Sequence, residues 1–103
     1  MYALHVTYTS AVPVEALRDE QFDFAERVVG VPGFVSKTWI HSGATQGGFY
    51  LFDSREHADA FAGGPLLAGL RTVPLFSDVT VRGYEVIADL SARTGGHATA
   101  SRC

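Results

Sequence analysis

Lys37 lies between Val35 and Trp39 on one face of a short alternating segment, Gly33-Phe-Val-Ser-Lys-Thr-Trp-Ile-His41. A lysine held among apolar neighbours can stabilise an enolate or phenolate, and an indole beside it can stack on a planar ligand. His41 ends the segment, and Tyr50 and Phe52 follow in Gly47-Gly-Phe-Tyr-Leu-Phe52, adding a titratable ring and aromatic surface. Elsewhere His5 offers a second base whose ordinary pKa of about 6.5 suits proton abstraction near neutral pH. Arg82 and Tyr84 offer a second cation, able to bind a carboxylate or oxyanion, and a phenol. Together these residues suggest deprotonation of a small aromatic molecule and stabilisation of the resulting anion. Lys37, Arg82, His5 and His41 are the catalytic candidates; Trp39, Tyr50, Phe52 and Tyr84 are the binding candidates.

Each residue also has a plainer reading. Trp39 and Tyr50 suit ordinary cross-strand packing, and Lys37 suits a snorkelling side chain with an apolar stem and a wet ammonium. His5 suits a hydrogen-bonded interior histidine, and Arg82 a partner for Asp78. His57 sits in a helical stretch facing either cavity or solvent, and His97 falls in a polar tail. Tyr8 alternates out of phase with His5, so the two share a site only at a strand end.

These candidates need elements to position them. Tyr2 to Thr9 alternates as a strand, with Tyr2, Leu4, Val6 and Tyr8 opposite Ala3, His5, Thr7 and Thr9. Val12-Pro13 ends it, and Val14 to Val29 has helical spacing, closed by Gly30-Val-Pro-Gly33. The two aromatic segments then form a hairpin across Ser42-Gly-Ala-Thr-Gln46. Pairing Ser42 with Gly47 puts Trp39 opposite Tyr50 and Lys37 opposite Phe52, with Ile40 opposite Phe49 and Thr38 opposite Leu51. Asp53-Ser54 is an N-cap candidate for a helix over Arg55 to Ala62. Gly63-Gly-Pro65 interrupts it before helical turns from Leu66 to Val73, and Phe76 to Ile87 is the last strand. The order β-α-β-β-α-β predicts a ferredoxin-like α+β fold. That fold is a four-stranded antiparallel sheet with its helices on one face and the first strand between the third and fourth. The strands are apolar or aromatic on both sides, which predicts a homodimer that covers the open face.

Composition narrows the classes. The 103 residues carry a net charge of -3, are 47% hydrophobic and show no basic cluster, so one globular domain without a nucleic-acid partner is expected. No apolar run approaches a membrane span, no basic-then-apolar leader opens the chain, and the single cysteine, Cys103, forms no internal disulfide. These point to a cytoplasmic protein with no membrane partner. Gly47-Gly48 opens a strand rather than a phosphate loop, no His/Cys/carboxylate spacing suggests a metal, and no Gly-x-Ser-x-Gly elbow occurs. No cofactor is therefore expected. The domain is read as residues 1–90, followed by a polar tail over 91–103.

Gly33-Phe34, Lys37, Trp39, Gly47-Gly48 and Tyr50-Leu51-Phe52, in this spacing, resemble the YdhR-like monooxygenases of the dimeric α/β-barrel superfamily. The resemblance spans roughly Tyr2 to Val86. It implies the ferredoxin-like fold, a homodimer and a monooxygenase; with no cofactor motif present, the first reading is a cofactor-independent monooxygenase acting on an aromatic or polyketide-like metabolite. Antibiotic-biosynthesis monooxygenases and haem-degrading enzymes are among the relatives. Cyclases, isomerases and non-catalytic binders share the superfamily, so a redox-neutral cyclase or isomerase and a ligand-binding dimer are the alternative readings.

Overall fold

The computed structural model describes residues 1–96. His97 and Cys103 lie outside the described residues. The first strand, β1 (Tyr2–Ser10), is followed by a 3-10 turn over Val14–Leu17 and helix α1 (Arg18–Val28). The hairpin strands are β2 (Phe34–Ser42) and β3 (Thr45–Phe52). Then come α2 (Arg55–Ala62), α3 (Pro65–Arg71), β4 (Phe76–Glu85) and a short α4 (Ala88–Arg93). The strands form one antiparallel sheet in the order β2-β3-β1-β4, so the first strand does lie between the third and fourth. This is the ferredoxin-like arrangement expected from the order of elements.

Alternation decides which face each residue takes. On β1 every second residue from Tyr2 to Ser10 is buried, and Leu4, Val6 and Tyr8 point toward the helices. Tyr2, Leu4 and Val6 pack with Tyr50, Phe52, Val28, Ala58, Phe61 and Leu67 in a single core, while the Tyr8 ring meets Phe76 at 4.2 Å. Phe52 is at its centre, fully buried, with Phe34 and Phe61 ring centroids 6.1 and 5.3 Å away. Ser54 caps α2 by accepting a hydrogen bond from the His57 amide at 3.2 Å, an arrangement that contributes about 1 kcal/mol. Pro65 opens α3, where its missing N–H leaves no bond unmade. Among the described residues, no helix is long and apolar enough to cross a membrane.

The hairpin register differs from the expected one. Its turn is only Gly43-Ala44, and Ser42 pairs with Thr45 rather than Gly47. Gly43 adopts a φ of +57°, the left-handed geometry that a two-residue turn with glycine first requires, so a tight turn replaces the longer loop. Lys37 therefore stands opposite Tyr50, not Phe52, and Trp39 opposite Gly48, not Tyr50. Thr38 meets Phe49 and Ile40 meets Gly47. A two-residue slip keeps the side chains from Ser36 to Ser42 on their expected faces, because the strand repeat is two. A bulge between Phe34 and Ser36, however, turns Phe34 toward the core and leaves Val35, expected on the face of Lys37, exposed.

Two further boundaries differ. The segment over Val14 to Val29 is not one helix, since Leu17 leaves helical dihedrals (φ -116°, ψ 23°) between the 3-10 turn and α1. The last strand ends at Glu85, and α4 covers Ala88–Arg93, where polar composition hid a helical turn closed by the Ser91 N–H to Ile87 C=O bond at 2.9 Å.

Candidate functional site

On the helix-facing side of the sheet, β2 presents Lys37 and Trp39 and β3 presents Tyr50. Opposite Trp39, β3 has Gly48. The absent side chain makes room for Lys37. A Cβ at Gly48 would stand 2.5 Å from Lys37 Cε, so the lysine stem lies across the glycine and directs its amine along the sheet. Nζ sits 3.3 Å from the centroid of the Trp39 ring, 4.5 Å from that of Tyr50 and 4.8 Å from that of Phe24 on α1. The edge of one of Phe24 and Trp39 meets the face of the other at 6.1 Å, completing a three-ring cage.

This cage borders a cavity of about 280 Å³ between the sheet, α1 and α3, walled by Val6, Tyr8, Lys37, Trp39, Tyr50 and Leu70 among others. An adjoining cavity of about 240 Å³ shares Tyr8, Gln21, Trp39 and Gly47 with it and adds Arg18, His41 and Gln46. Trp39 is thus a common wall. Gln46 is buried there; its amide nitrogen donates to Val12 C=O at 3.2 Å, and its Oε1 has no partner among the described residues.

Burial sets the protonation states. It pulls the Lys37 amine down from its ordinary 10.5 to about 7, because an ammonium among apolar walls loses its hydration. The ring faces act the other way, favouring the cation by about 0.5–2 kcal/mol. Near neutrality Lys37 therefore exchanges a proton readily. Burial, and then the neighbouring Tyr8 phenol, push the Tyr50 hydroxyl up; burial also raises Tyr8. Both phenols stay protonated and available as donors.

The fold separates the residues singled out from sequence. Lys37, Trp39 and Tyr50 come together at the first cavity, and His41 borders the second. Phe52 lines neither cavity, being closed inside the core. His5, Arg82 and Tyr84 occupy the opposite sheet face, with His5 paired to Arg82 in the ladder and stacked on Phe49 at 4.3 Å. A base there cannot reach a molecule held under the helices. No Arg82–Asp78 ion pair forms among the described residues; Asp78 instead has a φ of +54° close to the irregularity where β1 and β4 shift register. His57 pairs with Asp53 at 2.7 Å, and that hydrogen bond holds the Asp53 carboxyl below the usual range. Phe24 and Gln46 carry no signal in the sequence, which weighs Tyr8 only against His5. Alternation already placed Tyr8 on the face of Leu4 and Val6, but only the packing of α1 and α3 reveals that this face is hollow beside it.

Residues 2–97 match the family model described as "Putative mono-oxygenase ydhR". The chain belongs to this family. Solved structures agree on the ydhR chain's fold. A structure from Deinococcus radiodurans described as a "putative antibiotic biosynthesis monooxygenase" is 14% identical, with a TM-score of 0.63, covering 84% of this chain and 92% of its own. Another from Chloroflexus aurantiacus is 17% identical at a TM-score of 0.58, covering 95% and 98%. The haem-degrader MhuD from Mycobacterium tuberculosis, solved with two haems in its active site, is 21% identical at 0.52, covering 82% and 95%. At these identities the likeness establishes the fold. No curated protein matches the chain in sequence.

Proposed function

We propose that this ydhR-family chain is a monooxygenase acting on a small aromatic or polyketide-like metabolite without a bound cofactor. The observation that carries the reading is the caged Lys37 amine bordering a mainly apolar cavity that the Tyr8 and Tyr50 phenols also line. Family membership and the monooxygenase relatives support the reaction class.

The substrate is a carbon acid or phenol whose anion is itself the reductant. Neutral Lys37 takes the proton, and the new ammonium stays against the ring faces of Trp39, Tyr50 and Phe24, beside the anion it stabilises. For an activated methylene the balance is R₂CH₂ + O₂ → R₂C=O + H₂O. One oxygen atom enters the substrate, the other leaves as water, and the four electrons come from the substrate. Trp39 and Tyr50 hold the ring system, Tyr8 and Tyr50 donate hydrogen bonds to its oxygens, and His41 serves a group reaching the second cavity. Oxygen-electrode measurements with phenolic and 1,3-dicarbonyl substrates test the reading. Uptake should match product one to one; product formed under strict anaerobiosis would instead assign the cavity to cyclisation or isomerisation.

The open face carries Phe49 and Tyr84, each 49% exposed. Together with the His5–Phe49 stack they support a homodimer built face to face. Sedimentation should then give twice the chain mass at micromolar concentration, and a monodisperse monomer would overturn this.

A further inference from the structure

We propose that Lys37 is a nucleophilic amine that condenses with carbonyl ligands entering the cavity, 1,3-dicarbonyl compounds above all, forming a C=N bond at Nζ. The proposal stands apart from the oxygenase reading, since it requires neither dioxygen nor turnover.

Four observations carry it. Lys37 is the single lysine of the chain. Its Nζ is enclosed among three aromatic rings, and the loss of hydration there outweighs the rings' attraction for the cation, which frees the amine for attack on a carbonyl. Among the described residues no carboxylate lies within 4.0 Å of it, although Glu20 and Arg27 border the same cavity. Finally, two phenols line the cavity, those of Tyr8 and Tyr50, and burial keeps both protonated.

The step balances without any redox partner. The nitrogen lone pair attacks the carbonyl carbon to give a carbinolamine. Its hydroxyl leaves as water on accepting a proton from a phenol, and the phenolate regains a proton from nitrogen. The net change is amine plus carbonyl to imine plus water. While the imine is protonated it is a cation, and the same ring faces accommodate it. With a 1,3-dicarbonyl the imine tautomerises to a conjugated enaminone, and the second oxygen accepts a hydrogen bond from the remaining phenol. That second anchor makes 1,3-dicarbonyls the favoured class over simple aldehydes.

The test treats the full chain with pentane-2,4-dione at pH 7, folded and in guanidinium chloride, and follows intact mass and peptide maps. An ordinary lysine is neutral in only about 0.03% of molecules at that pH, whereas an amine titrating near 7 is about half neutral. Lower basicity reduces intrinsic nucleophilicity but offsets only part of this roughly 10³-fold gain. Lys37 should therefore gain the mass of the dione less one water at least ~10-fold faster in the folded protein than in the unfolded one, the reverse of ordinary protection by burial. The N-terminal amine is the internal reference and should react at similar rates in both. Labelling of Lys37 that is faster in the unfolded chain, or labelling of the folded chain confined to the N-terminus, overturns the proposal.

Discussion

Replacing Lys37 with methionine should stabilise the protein at pH 6 by about 2–3 kcal/mol while sharply lowering turnover. The stability effect follows from proton linkage. The unfolded chain binds a proton at Lys37 up to about pH 10.5, whereas the folded chain releases it near 7. Between those values the unfolded state carries more protons, so stability rises with pH across this window. Below pH 7 both states are protonated and the cost of burying the ammonium is fully present; above about 10.5 it is gone. A shift of this size corresponds to about 5 kcal/mol, reduced by the ring contacts that favour the cation. Methionine keeps the stem's volume and sets sulfur among the same rings, so the cage remains filled. Denaturation midpoints measured from pH 6 to 10 should rise with pH in the wild type and stay flat in the variant. Catalysis should move in the opposite direction, with loss of the proton acceptor lowering kcat by about 10²–10⁴-fold. A variant no more stable at pH 6 than the wild type would show that the amine reaches water, and unchanged turnover would remove Lys37 from the mechanism.

The largest structural effect should come from a single methyl group. Gly47 belongs to β3, which lies between β1 and β2, and it faces Thr7 on one side and Ile40 on the other. A Cβ built there would stand only 1.9 Å from the Val6 carbonyl oxygen and 2.9 Å from Thr7 Cα. Both obstacles are backbone, so no rotamer relieves them, and β1 and β3 must separate at the point where the two central strands hold the sheet together. Gly47→Ala should destabilise the fold by about 4 kcal/mol or more, a large part of a typical domain's 5–15 kcal/mol. Gly69→Ala in α3 is the contrast, because a Cβ there meets nothing within 4 Å and alanine favours the helix by up to about 1 kcal/mol. Guanidinium titration of both variants decides the matter; a Gly47→Ala protein within about 1 kcal/mol of wild type would show that the strands part easily.

How much of this was legible beforehand depends on which interactions are local. Alternation from Tyr2 to Thr9, proline and glycine punctuation, and the Ser54 cap are properties of neighbouring residues, and they predict the element order and sheet topology that the structure has. The pairing partner of each strand residue is less local. Whether Gly43-Ala44 alone makes the turn depends on Gly43 adopting a positive φ, which composition permits without requiring. The two-residue slip that resulted moved Lys37 from Phe52 to Tyr50.

By itself, therefore, the sequence determined the fold class, the alternation of faces along β1, and the membership of Lys37, Trp39 and Tyr50 in one surface, because a period of two and steric limits on the backbone act over a few residues. Only the tertiary structure decided which candidates share a site. The thickness of a sheet separates His5, Arg82 and Tyr84 from Lys37, and α1 supplies Phe24 as the third ring of the cage. The lysine's changed basicity also belongs to that level, since it arises from water excluded by elements far apart in the chain, and no local pattern encodes the loss of hydration that makes its proton mobile near neutrality.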